Sequence, residues 1–147
     1  MKQVNKSVLL WYSPREMFDL VIDVETYPLF LPWCAGAEVL QRHEDGVTAR
    51  LGLSYMGVKH VFTTRNENVP GESVLVKLVD GPFSQLDGTW LFRPLGDAGK
   101  GCKIEFELRY DFSSKALEAV VSPVFDRVAN TFVDSFVKRA ETVYGRR

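Results

Sequence analysis

Few residues of this 147-residue chain have the type and spacing that chemistry demands. Its histidines, His43 and His60, have no second histidine or cysteine two or four residues on, so a metal site is not expected. Glu105 and Glu107 resemble a carboxylate pair, but they alternate with Ile104, Phe106 and Leu108 along a strand pattern, which turns them to solvent as a solubilising face. Cys34 and Cys102 stand far apart without a CxxC or Cys/His cluster, so they read as buried thiols rather than a zinc site or disulfide framework. "GDAGKG", residues 96–101, has the composition of a phosphate loop but not its spacing, and a strand follows where a helix is needed; it is a hairpin loop. "VDGPF", residues 79–83, is a turn, with Asp80 and Gly81 suited to bending and Pro82 fixing the exit. No catalytic residue emerges, and the expectation is a protein that is not an enzyme. His60 keeps one opening. It shares strand parity with Phe62 and Thr64, so an inward Phe62 would bring His60 inward to bond a polar group.

Composition agrees with a binding or structural role. The apolar share is 46% and the charged share 25%, ordinary for a globular protein of one domain, residues 1–147, large enough to bury a real core. A net charge of −1 gives no global attraction to nucleic acid or anionic lipid, and DNA is not an expected partner. No apolar run is long enough to span a membrane and the first residues lack a signal-peptide layout, so the expected location is cytoplasmic, with at most a peripheral contact at the inner membrane.

The positioning elements can be read from punctuation and period. A strand precedes Ser13. "SPRE" then carries a helix start: Ser13 as cap, Pro14 at the first position, Glu16 completing a capping box. Met17, Phe18, Val21 and Val24 give that helix a docking face, and Pro28 and Pro32 limit it to one or two short helices. From Ala37 to Phe112 the period becomes two, and turn residues divide the stretch into about six strands. The clearest is "CKIEFELRYDF", with Cys102, Ile104, Phe106, Leu108, Tyr110 and Phe112 on one face. An antiparallel sheet with one apolar face needs a cover. Leu117, Val121, Val124, Phe125, Val128, Phe132, Phe136 and Ala140, at helical spacing, supply it as a long helix, which Pro123 should kink or separate from a preceding short turn. The expected fold is α+β: a curved antiparallel sheet of about seven strands wrapped around a long C-terminal helix.

This order, with the motifs "YPLFLPWC", "FTTRN" and "LVDGPFSQLDGTWLF", resembles the START-like helix-grip superfamily, in the branch of coenzyme Q-binding proteins and the bacterial ribosome association toxin. The resemblance runs through essentially the whole chain. It implies a cavity between sheet and helix for an apolar molecule, a polyprenyl quinone such as ubiquinone as ligand rather than as a catalytic cofactor. It also implies a second activity, binding the large ribosomal subunit and blocking subunit association. A small cyclase-like enzyme of the same superfamily is a third reading, without the inward acids and bases it needs.

The ligand-contacting residues expected on the quinone reading are Tyr27, Phe30, Leu31, Trp33, His60, Phe62, Trp90, Phe106, Tyr110, Phe125, Val128 and Phe132. The apolar stretch "DVETYPLFLPWC", residues 23–34, is either plain core or the lip of that cavity, because leaving its rings exposed would forgo about 1.5–3 kcal/mol each. Trp90 and Tyr110 carry polar tips that a quinone oxygen, a water or a carbonyl would satisfy equally. At the chain's end Lys138, Arg139, Arg146 and Arg147 complement a helix dipole or touch ribosomal RNA or lipid headgroups.

Overall fold

The computed structural model describes residues 1–96 and 99–147, so the centre of the hairpin loop expected at 96–101 lies outside the described residues. The Ser13 signal forms as written: the Glu16 N–H donates to Ser13 Oγ at 3.1 Å and the Ser13 N–H to Glu16 Oε1 at 2.9 Å. They start helix α1, Pro14–Ile22, whose Met17, Phe18 and Val21 are buried. A 3₁₀ helix, Val24–Leu29, follows and contains Pro28.

Seven strands, β1 (Lys2–Leu10), β2 (Cys34–His43), β3 (Gly46–Tyr55), β4 (Val58–Val69), β5 (Ser73–Asp80), β6 (Phe83–Leu95) and β7 (Gly101–Phe112), form one antiparallel sheet in the order β1-β7-β6-β5-β4-β3-β2. The first strand therefore pairs with the last, Lys2 opposite Tyr110 and Leu10 opposite Cys102 without a break. At the other edge the β2–β3 register slips twice, between Cys34 and Gly36 and between Val39 and Gln41. The six alternate residues Cys102 to Phe112 of β7 are all buried, as their period requires.

Helix α2, Lys115–Tyr144, is capped by Ser114, whose Oγ accepts from the Leu117 N–H at 3.1 Å. It runs unbroken through Pro123, so no separate turn precedes it. Pro123 and Ala119 are both exposed, and the Ala119 carbonyl that loses its partner there faces water. Val121, Val124, Phe125, Val128, Ala129, Val133, Phe136 and Ala140 form its buried stripe, while Leu117 and Phe132 are half-buried.

Polar bonds fasten α2 at both ends. Lys2 Nζ donates to Asp126 Oδ2 and Ser122 Oγ, each at 2.5 Å, and the Tyr110 hydroxyl donates to Asp126 Oδ1 at 2.5 Å. Burial pushes the Asp126 carboxyl up, but these donors outweigh it and hold the group below the usual carboxylate range. At the far end the Tyr12 hydroxyl donates to the Gly145 carbonyl at 2.8 Å, the Tyr144 hydroxyl to the Glu16 carbonyl at 2.9 Å, and Arg147 Nη1 to Glu16 Oε1 at 2.6 Å.

Candidate functional site: an apolar cavity beneath the long helix

Inward rings of the sheet and of α2 do not fill the space between them. A cavity of about 80 Å³ remains, walled by eight of the twelve residues expected from the sequence: Tyr27, Trp33, Phe62, Trp90, Phe106, Phe125, Val128 and Phe132. The rings hold one another in place. Trp90 lies 4.6 Å from Phe106 and 5.6 Å from Phe132, centroid to centroid, and Trp33 stacks on Phe62 at 6.4 Å with the planes 25° apart.

The other four residues lie outside that wall. Tyr110 is the clearest correction: its hydroxyl is committed to Asp126, so it has no proton to offer a ligand in the cavity. Leu31 is 2% exposed and belongs to the core. Phe30, half-buried, packs edge-on against Phe136 at 5.1 Å, with the Arg139 guanidinium 5.3 Å over its ring. His60 is half-buried opposite Leu53, away from the lining. Stretch 23–34 thus divides: Tyr27, Leu31 and Trp33 are buried, Tyr27 and Trp33 forming wall, while Leu29 is 72% exposed. Even Tyr27 turns its polar tip away, donating to the Val21 carbonyl at 2.5 Å, and burial pushes its phenol well up.

Ten further residues complete the lining, and two of them carry polar side chains. Thr64 and Asn66 are 3% and 7% exposed and share the inward parity of Phe62 on β4. Their signal was "FTTRN" itself, in which every second residue after Phe62 is polar at a position the strand period sends inside.

Outside the cavity lies a groove of about 230 Å³, walled by Pro32 and Tyr55 on one side and by Arg127, Thr131, Asp134, Ser135 and Lys138 of α2 on the other. Trp33 and Val128 border both spaces and so form the partition between them.

The remaining reactive types are quiet. Burial pushes the Cys34 and Cys102 thiols up to about 11 each, which leaves them protonated and poorly nucleophilic. Hydrogen bonding from Arg93 at 3.0 Å, with Lys103 at 3.5 Å, holds the Glu105 carboxyl down in a solvated ion-pair ladder. His43 Nε2 meets Thr48 Oγ1 at 2.8 Å. Asp80 Oδ1 accepts the Gly81 N–H at 3.0 Å, and Gly81, at φ +152°, has no room for a Cβ, which would lie 2.7 Å from that of Phe62. The last turn of α2 itself holds no cation; just beyond it Arg147 folds back onto Glu16, and Arg146 meets Glu141 at 3.6 Å. Among the described residues, no helix is long and apolar enough to cross a membrane.

A seven-stranded sheet gripping one helix over an apolar cavity defines the START-like helix-grip class, and residues 10–137 match the family described as polyketide cyclase / dehydrase and lipid transport, to which this chain belongs. Within it the chain falls in the branch that holds ribosome association toxins and coenzyme Q-binding proteins. It is 43% identical over 145 residues to the ribosome association toxin RatA of Vibrio cholerae, covering 99% of each chain. It is 29% identical over 147 residues to the mitochondrial coenzyme Q-binding protein COQ10 homolog B of Xenopus laevis, covering 99% of this chain and 60% of that one. The solution structure of an 18 kDa protein of Caulobacter crescentus is similar at 31% identity and a TM-score of 0.74, with 99% of both chains covered.

Proposed function

We propose that this protein is a ribosome association toxin, acting in the cytoplasm by binding the large ribosomal subunit and blocking its union with the small one. The observation that carries this reading is the 43% identity to RatA over nearly all of both chains. The cavity supports it by its size. At about 80 Å³ it is smaller than the ~150 Å³ cavity that holds a benzene, and far below the ~300–1,000 Å³ of small-molecule sites, so a quinone ring does not fit without movement of the wall. This reverses the order of the two readings drawn from the sequence.

The test is to mix purified ribosomal subunits under conditions that favour association, add the protein, and resolve the particles on a sucrose gradient. The associated-particle peak should fall as the protein is added, with the protein sedimenting beside the large subunit. An unchanged peak at tenfold excess of folded protein would overturn the reading.

A second reading, binding of a quinone or other lipid, is favoured by the aromatic lining and by the resemblance to COQ10. It requires the partition at Trp33 and Val128 to open.

A further inference from the structure

The second reading leaves the ligand's polarity and direction of entry undefined, and the two polar lining residues bear on both. A cavity that served only packing would be apolar throughout, because a buried amide without a partner is costly. Here Asn66 is 7% exposed and Thr64 3%, and both border the cavity. The one hydrogen bond either side chain makes among the described residues joins them, Thr64 Oγ1 donating to Asn66 Oδ1 at 3.0 Å. That leaves the Asn66 amide nitrogen with both hydrogens unspent, and with the amide turned the other way one would still remain.

Their place along β4 gives the site an axis. Trp33, which separates cavity from groove, stacks on Phe62, and Thr64 and Asn66 occupy the next inward positions, roughly 7 and 13 Å further along the strand. Gly88 lies beside this end of the cavity and contributes no side chain to fill it. Among the described residues no charged one lines the cavity, whereas Arg127, Asp134 and Lys138 rim the outer groove.

We infer that Asn66 and Thr64 form a hydrogen-bonding floor that recognises a neutral, carbonyl-bearing apolar molecule entering carbonyl first, with Trp33 as the gate its tail passes. The inference rests on the lipid-binding reading, not on ribosome binding. With Trp33 displaced, cavity and groove join into a space at the ~300 Å³ lower bound of small-molecule sites. Carboxylate ligands are rejected, because an anion at the floor would be buried without a cation.

The test uses nitrogen-15-labelled full-length protein titrated with 2-nonanone and, separately, with nonane. The ketone should bind about tenfold more tightly, the gain of one buried hydrogen bond, and should alone shift the Asn66 side-chain amide resonances. Asn66→Leu should keep nonane binding and weaken ketone binding at least about tenfold, so that nonane becomes the tighter ligand, because the carbonyl would then be buried without a donor. Trp33→Ala should speed association of both probes. Equal affinities in the wild type, or ketone binding that leaves the Asn66 resonances in place, overturn the hydrogen-bonding floor while lipid binding stands. Binding of neither probe overturns both. Should Asn66→Leu fail to fold, the wild-type amide shifts decide alone.

Discussion

The two edges of the sheet are built by different means. At β1 the register with β7 is unbroken and Lys2 reaches across to Asp126, where Tyr110 also donates; at β2 the register slips twice, and the neighbouring wall meets α2 through the rings of Trp33 and Phe132, 6.1 Å apart. Hydrogen bonds to one carboxylate are directional and are lost together when the groups part. Contacts between rings weaken gradually and re-form at many angles. The edge fastened by polar bonds therefore behaves as a hinge post, and the ring-packed edge is where the fold can part without breaking. The bulges that bend β2 also make it a poor template for pairing with another chain's strand.

Trp33→Ala should break the ring-packed side outright. Trp33 is 5% exposed, so truncation should cost about 3 kcal/mol by chemical denaturation, and a loss below about 1 kcal/mol would show that its rings hold little. Asp126→Asn tests the bolted side, with an expected cost of about 1–2 kcal/mol after allowing for its partial exposure. Because the folded carboxyl sits below its ordinary value, its stabilisation is complete above that value and disappears as pH falls through the lower one. The gap between wild type and variant should accordingly close below about pH 4, and a gap independent of pH would remove the charge from the explanation. Hydrogen exchange sharpens the comparison most gently: backbone amides of β2 should exchange about tenfold faster than those of β1, and equal protection at the two edges would erase the distinction.

Much of this frame was legible because local chemistry fixed it. Ser13, Pro14 and Glu16 sit within four residues of one another, and the alternation of β7 needs only its own twelve residues to declare an inner face. The seven-strand total and the covering helix follow from the same local periods. What could not be read joins distant residues. Asp126 and Lys2 meet across the whole fold, so nothing near Tyr110 in sequence warns that its hydroxyl is already engaged. The ladder slips in β2 leave no mark on its alternation, and Arg147 looks like a helix-end cation until the chain turns back to Glu16. Eight of twelve expected residues reach the cavity wall because inward parity and helical spacing select them; its volume depends on how rings interlock, which no period encodes. Thr64 and Asn66 show the opposite fault, since parity had already placed them inside.

Pairing the first strand with the last also sets the timetable of folding. During synthesis β1 leaves the ribosome and then waits while about a hundred further residues are added before β7 exists to receive it, roughly 5–20 s at ordinary elongation rates. Through that interval the inner faces of β3 to β6, with Phe62, Trp90 and Phe92 among them, have neither edge closure nor the helix that covers them. The apolar face of the nascent sheet thus lacks its cover through most of synthesis, and the fold can close only when α2 is laid down.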